Sequence, residues 1–150
     1  MGPGGRAALV AGATVAADQA AKAVVRGTID RGDEVDLILG IQLVNVRNRG
    51  IAFGMFSGGG VLLVLFALAA LAALLVFFAR HRDRPLVWLP TGLLIGGATG
   101  NLIDRAREQA VTDFIDLPAW PAFNVADIAI TLGVLSLLYV LEGPPRHGRT

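Results

Sequence analysis

The chain alternates between long apolar runs and short polar stretches, and this alternation predicts its elements. Ala7 to Val25 is apolar except for Asp18, Gln19 and Lys22, and is bracketed by Arg6 and Arg26. Val61 to Ala79 carries no charge and is followed at once by Arg80, Arg82 and Arg84. Pro85 to Ile103 is a second uncharged run, glycine-rich in its later half and closed by Asp104, Arg105, Arg107 and Glu108. Each run is close to the ~20 residues that a helix needs to cross a bilayer. The last run, Ile128 to Leu141, is too short for a ~30 Å hydrocarbon core at about 1.5 Å per residue. A crossing there requires a start near Ala122, which puts Asp127 roughly one and a half turns inside the helix. The pattern therefore predicts an all-α membrane protein of one domain with four transmembrane helices, about 7–25, 61–79, 85–103 and 122–141. A cleaved signal peptide is disfavoured at the N-terminus, because Asp18 and Lys22 interrupt the apolar segment it would need.

The stretches between these runs are more polar. Asp30-Arg31-Gly32-Asp33 reads as a turn, and Val35 to Val46, rich in β-branched and aliphatic residues, as one or two short strands. Asn48-Arg49-Gly50 breaks that pattern, and Gly58-Gly59-Gly60 reads as a flexible joint. The tail from Glu142 to Thr150 is expected to be disordered.

Composition narrows the chemistry. Of the 150 residues 54% are hydrophobic and 17% charged, against about 25% charged in an ordinary soluble domain. The net charge of +1 offers no basic field for nucleic acid. There is no cysteine, which excludes disulfides, thiolate metal sites and a cysteine nucleophile. His81 and His147 lie in arginine-rich flanks, which argues against a histidine zinc site or a Ser-His triad. Carboxylate chemistry remains, with Asn, Lys and Arg in support. Arg6, then Arg80, Arg82 and Arg84, then Arg146 and Arg149 flank alternate helix ends, so both termini are expected to be cytoplasmic. The arginines of the opposite flanks are mixed with Asp and Glu.

Three places concentrate polar residues near hydrocarbon, where an ionisable side chain is costly and reads as functional. Asp18 and Lys22 are four apart on one helix face, the geometry of an ion pair. It is either a structural pair or one that faces a polar cavity. Gly92, Gly96 and Gly100 form a stripe that admits a close helix neighbour, and the same stripe leads to Asp104, with Asn101 and Arg105 beside it. Finally, Val111 to Asp127 holds Asp113 and Asp116 ahead of Pro118-Ala119-Trp120-Pro121, and Asn124 and Asp127 after it. Asp127 could instead be a helix N-cap, and Asp116 a solvated loop residue. Two carboxylates held close in a partly dry site cannot both ionise easily, and such a pair can activate water against an amide. Spacing alone leaves open which of Asp104, Asp113 and Asp127 pair.

The chain resembles the lipoprotein signal peptidases, also called signal peptidase II, in five blocks that occur in order. They are Asp18-Gln19-x-x-Lys22, Asn48-x-Gly50-x-Ala52-Phe53, Gly96-Gly97-Ala98-x-Gly100-Asn101-Leu102-Ile103-Asp104-Arg105, Val111-x-Asp113-Phe114 and Phe123-Asn124-Val125-Ala126-Asp127-x-x-Ile130. The resemblance implies an intramembrane aspartyl endopeptidase of the bacterial inner membrane. Such an enzyme removes signal peptides from prolipoproteins, cutting before a diacylglyceryl-modified cysteine. It implies Asp113 and Asp127 as catalytic residues, with Asp18, Lys22, Asn48, Gly50, Asn101, Asp104, Arg105 and Asn124 supporting them. It also implies a small extracytoplasmic β-cradle after the first helix, no metal or organic cofactor, and lipidated prolipoproteins and membrane lipids as partners of a monomer. Ile51, Gly54 and Ile128 depart from the family's usual Ala, Ser and Ser. A proton or ion carrier and a non-catalytic membrane subunit are the rival readings. No internal repeat of the kind transporters show is present.

Overall fold

The computed structural model describes residues 1–49 and 59–142. In chain order the elements are α1 (Pro3–Thr28), β1 (Glu34–Asp36), β2 (Gln42–Asn48), α2 (Gly59–His81), α3 (Trp88–Glu108), β3 (Val111–Leu117), β4 (Trp120–Phe123) and α4 (Val125–Glu142). Three of these helices are long and apolar enough to cross a membrane: Pro3–Thr28, Val61–His81 and Val125–Glu142. α3 is more polar, yet its 21 residues reach about 31 Å at ~1.5 Å each, the thickness of a hydrocarbon core.

Its position explains that composition, because α3 packs against α1, α2 and α4. A Cβ added at Gly92 would lie 2.7 Å from Ala7 O, and one at Gly96 2.8 Å from Ala11 O. One at Gly100 would lie 2.6 Å from Asp18 Oδ2. The partners advance along α1 in step with the glycines, so α1 and α3 run parallel at a spacing that side chains would forbid. Gly97 faces the other way, 2.5 Å by the same measure from Ala126 O of α4. α3 is therefore a small-residue wedge between α1 and α4. By contrast, no described side chain of α2 is buried, and Phe66 is 73% exposed. Among the described elements α2 packs mainly on α3, and its remaining surface is lipid-like.

The connections form a four-stranded antiparallel sheet, β1-β2-β3-β4, at the end of the bundle where α1 and α3 finish and α4 begins. The sheet is larger than the one or two short strands expected after the first helix. One hairpin lies after α1, as expected. The other, β3-β4, occupies the segment between α3 and α4, where no strand was predicted. Asp116 accordingly sits on a strand opposite Gln42, not in a loop. Pro118 and Ala119, with φ 62°, make the two-residue turn. Pro121 is accommodated because β4 is an edge strand. Phe114, Val25 and Ile29 form the core that seats the sheet on α1.

The last helix begins at Val125, not near Ala122, so Asp127 lies in its first turn. Asp127 N donates to Asn124 Oδ1 at 3.0 Å, and Asn124 N donates to Asp127 Oδ2 at 3.2 Å. This reciprocal arrangement is a capping box, with Asn124 as N-cap. Gly59 and Gly60 open α2, contrary to the joint expected there. Gly58 and the tail from 143 lie outside the described residues.

The glycine wedge predicts unequal tolerance. Gly96→Ala should destabilise by roughly 1–3 kcal/mol through overpacking. Gly12→Ala, where a Cβ meets nothing within 4 Å, should be neutral or gain up to about 1 kcal/mol in a helix interior. Thermal unfolding of both variants in detergent checks the contrast, and equal melting points would contradict the packing.

Candidate active site

Lys22 is the hub of the polar interior and has no exposed surface. An ammonium has three protons to donate, and all three are placed. They go to Asp18 Oδ2 at 2.8 Å, Asp104 Oδ2 at 3.0 Å and Asn101 Oδ1 at 3.0 Å. Asp18 also accepts from Ala126 N at 2.9 Å, which ties α1 to the start of α4. Asp104 accepts from Thr112 N at 3.1 Å, which ties α3 to β3. Arg105 and Arg107, close in sequence, form no ion pair with Asp104 among the described residues. Lys22 takes that place, with Arg26 Nη1 at 3.9 Å as a second cation.

The hub fixes the orientation of two amides. Lys22 can only donate, so Asn101 must turn Oδ1 toward it and Nδ2 away, and that Nδ2 donates to Asp127 Oδ1 at 2.9 Å. The backbone N–H of Asp127 can only donate, so Asn124 turns Oδ1 toward it. Asn124 Nδ2 then donates to Asp113 Oδ1 at 2.7 Å, and lies 3.2 Å from Asn101 Oδ1. Asn48 Nδ2, across the sheet on β2, donates to Asp113 Oδ2 at 2.8 Å. Asp113 and Asp127 thus flank one asparagine, and each accepts amide N–H groups with no cation in direct contact among the described residues.

Burial differs between the two. Asp113 is 2% exposed, whereas Asp127 is half-buried. Burial pushes the Asp113 carboxyl up to about 6, and the charge of Asp127 adds to the rise. The hydrogen bonds from Asn48 and Asn124 oppose it without cancelling it. A buried carboxyl that holds its proton up to about pH 6, beside a second, half-buried carboxyl, suits acid–base work.

Seven of the eight expected supporting residues bear on this site. Asp18, Lys22, Asn48, Asn101, Asp104 and Asn124 belong to one hydrogen-bonded network. Arg105 is anchored by Nη1 to Asn101 O at 3.4 Å and borders a groove between α2, α3 and α4. Gly50 lies outside the described residues. The groove, of about 460 Å³, is walled by Leu63, Phe66, Leu71, Leu94 and Ile130 and ends at Asn101 and Arg105. Gln19 was missed as a site residue, although its Nε2 donates to Asp104 Oδ1 at 3.0 Å. So was Arg26, which donates to Thr112 Oγ1 at 3.1 Å. Arg26 follows Lys22 by four residues on the face that carries Asp18, and that spacing was the available signal.

Comparison with known proteins places this geometry. A family model described as Signal peptidase (SPase) II matches residues 10–142. A lipoprotein signal peptidase of Nitratidesulfovibrio vulgaris is 40% identical over 142 residues, covering 88% of this chain and 86% of the relative. One from Halothermothrix orenii is 37% identical over 125 residues, covering 83% and 86%. A solved bacterial membrane enzyme, determined by the in meso method at 1.9 Å resolution, superimposes with a TM-score of 0.85 at 31% identity, covering 96% of this chain and 95% of that one.

Two outcomes follow from the network. Lys22→Met would leave two buried carboxylates facing each other and should cost roughly 3–5 kcal/mol, read as a lower unfolding temperature in detergent. For Asp113, the folded chain keeps its proton up to about 6 while the unfolded chain loses it near 3.8. Its contribution to stability is therefore full below the lower value and lost as pH rises to the upper one. The loss is on the order of 3 kcal/mol, at about 1.4 per pK unit. Asp113→Asn should remove that slope between pH 4 and 6, and a wild-type slope retained in the variant would refute the raised value.

Proposed function

The chain belongs to the signal peptidase II family, a family of proteases, and on that footing we propose that it is an intramembrane aspartyl endopeptidase. It removes signal peptides from prolipoproteins by cutting before a diacylglyceryl-modified cysteine. The observation that carries this reading is the single asparagine, Asn124, that holds Asp113 and Asp127 as a pair of unlike carboxyls.

In the proposed reaction the pair shares one proton, which rests on Asp113 because burial favours its neutral form. Asp127, aimed by Asn101 Nδ2 and Asn124 N–H, takes a proton from a water as that water attacks the scissile carbonyl. The C–N bond then breaks, and the proton from Asp113 goes to the leaving amide nitrogen. The pair has gained one proton and given one, so it returns to its starting charge. The groove beside α2 takes the apolar part of the lipidated substrate. Asn101 and Arg105, at its polar end, meet the peptide backbone or the glyceryl ester. Lys22 touches neither carboxyl of the pair and acts as a positioning residue, through Asn101.

The orientation rests on charge. Arg6 stacks over Trp88 at the end of the bundle remote from the sheet, 5.8 Å from the ring centre, where Arg80 lies in the last turn of α2 and Arg82 and Arg84 in the adjoining α2–α3 turn. At the sheet end Arg26 and Arg47 are partnered by Glu108. The sheet end also holds Asp30, Asp33, Glu34, Asp36 and Asp116, so net positive charge gathers at the opposite end, where α1 begins and α4 finishes, which the positive-inside rule assigns to the cytoplasm. α3 is the fourth crossing, the sheet and the carboxyl pair lie at the extracytoplasmic face of the cell membrane, and the chain works as a monomer.

Asp113→Asn and Asp127→Asn should each lower cleavage of a diacylglyceryl-modified prolipoprotein by at least about a hundredfold, while Asp116→Asn stays near wild type. A gel-shift assay on the purified variants measures this, with unlipidated substrate run alongside. Near-normal cleavage by either of the first two variants ends the dyad proposal, and equal cleavage of both substrates ends the lipid specificity.

A further inference from the structure

A second polar site lies on the opposite flank of β2. The register of β2 on β3 passes from Leu43↔Ile115 to Val46↔Asp113, so Val44 and Asn45 together face Phe114 alone. Such a bulge re-aims a side chain, and here it buries two consecutive residues, Val44 and Asn45. Asn45 is 5% exposed. Its Nδ2 donates to Ile29 O at 2.8 Å, at the end of α1. Its Oδ1 has no hydrogen-bond partner among the described residues. A buried acceptor left unmet is costly.

Asn45 lines two adjoining clefts, of about 500 and 200 Å³. A water occupies only about 30 Å³, so the space admits a polyatomic ligand. Arg26, Arg31, Arg47 and Arg49 surround it, against the carboxylates of Asp30 and Glu108. Glu108 is held by Arg47, with Arg26 Nη1 at 3.8 Å. Among the described residues Arg31 and Arg49 enter no ion pair. Arg31 projects from the turn that Asp33 N closes onto Asp30 O at 3.1 Å.

We infer that this cleft binds a phosphate-type anion that carries a hydrogen-bond donor a few bonds away, a glycerophosphoryl group. Guanidinium forks match phosphate oxygens, which Arg31 and Arg49 supply without breaking an existing pair. The orphan Asn45 Oδ1 is an acceptor, so it selects for the hydroxyl. The group can arrive as an anionic glycerophospholipid headgroup, since the sheet sits where the apolar helices end, or as free glycerol phosphate. The inference is independent of peptide cleavage, because among the described residues Asn45, Arg31 and Arg49 form no side-chain hydrogen bond or ion pair with Asp113 or Asp127.

The test uses the full-length protein, delipidated in a neutral detergent and titrated by calorimetry with dihexanoyl phosphatidylglycerol, dihexanoyl phosphatidylcholine and sn-glycerol 3-phosphate. Saturable binding of the phosphatidylglycerol, weakened at least tenfold in the Arg31→Gln/Arg49→Gln double variant, is the expected result. Asn45→Leu should abolish the preference for it over phosphatidylcholine. Should that variant fail to fold, the double variant, altered only at exposed positions, carries the test. Glycerol 3-phosphate binding as tightly supports the site and makes the aqueous molecule its ligand. Its failure to bind makes the lipid the ligand. No saturable binding by either, equal binding of phosphatidylcholine, or an unchanged affinity in the double variant overturns the inference.

Discussion

A fully buried ammonium holds this structure together. Lys22 has no solvent to fall back on, so each of its protons must find an acceptor inside the protein, and the three acceptors come from two helices. A buried ion pair is a poor source of net stability, because desolvation consumes most of the Coulomb energy. It is nevertheless strongly specific, since any register of α1 against α3 other than the observed one strands a charge. The glycines at 92, 96 and 100 are the other half of that constraint. They bring the two backbones close enough for Asp18, Lys22 and Asp104 to meet.

The same hub reaches the carboxyl pair through geometry as well as charge, its ammonium tempering the rise at Asp113. Lys22 contacts neither Asp113 nor Asp127, yet it dictates which way Asn101 points, and Asn101 then presents a donor to Asp127. Asn124 is set in the same manner by the backbone of α4. Amide donors orient the pair without the full neutralisation that a nearby cation would bring. That leaves Asp113 free to respond to burial and to the charge of its neighbour, which is why its proton is held to about 6. A lysine bonded directly to either carboxyl would have kept it ionised and ended the inequality on which acid–base work depends.

What was legible in the sequence follows from range. The apolar runs report local burial, so four helices and the hairpin after α1 could be read directly. The Asp18–Lys22 pair and the glycine stripe are spacings within one helix, and both hold. What failed was decided by partners distant in the chain. Val111 to Leu117 interleaves carboxylates with apolar residues, and its identity as a strand depends on pairing with β2, more than sixty residues earlier. Length argued for an early start to α4, but the sheet claims Trp120 to Phe123, and the capping box fixes the boundary at Asn124. Asp127 is not the N-cap itself, a place taken by Asn124, but its carboxylate bonds back to Asn124 N–H from the first turn. The pairing of Asp113 with Asp127, which spacing left open, came from the family resemblance, and in the structure both carboxylates accept hydrogen bonds from Asn124.

The capping box also bears on how the site is assembled. Asp127 uses Oδ2 to cap its own helix and Oδ1 to accept from α3. Asp113 is delivered by a strand whose neighbour, Thr112, is tied to Asp104. The two carboxyls thus approach from different layers, one from the helix bundle and one from the sheet, and Asn124 is the residue at which the layers join. A carboxyl pair carried on a single helix would be close in every partly folded state. Here the pair exists only when α1, α3 and α4 have packed and the sheet has closed over them, so the repulsion between the two acids is met only where α1, α3, α4 and the sheet together can hold it.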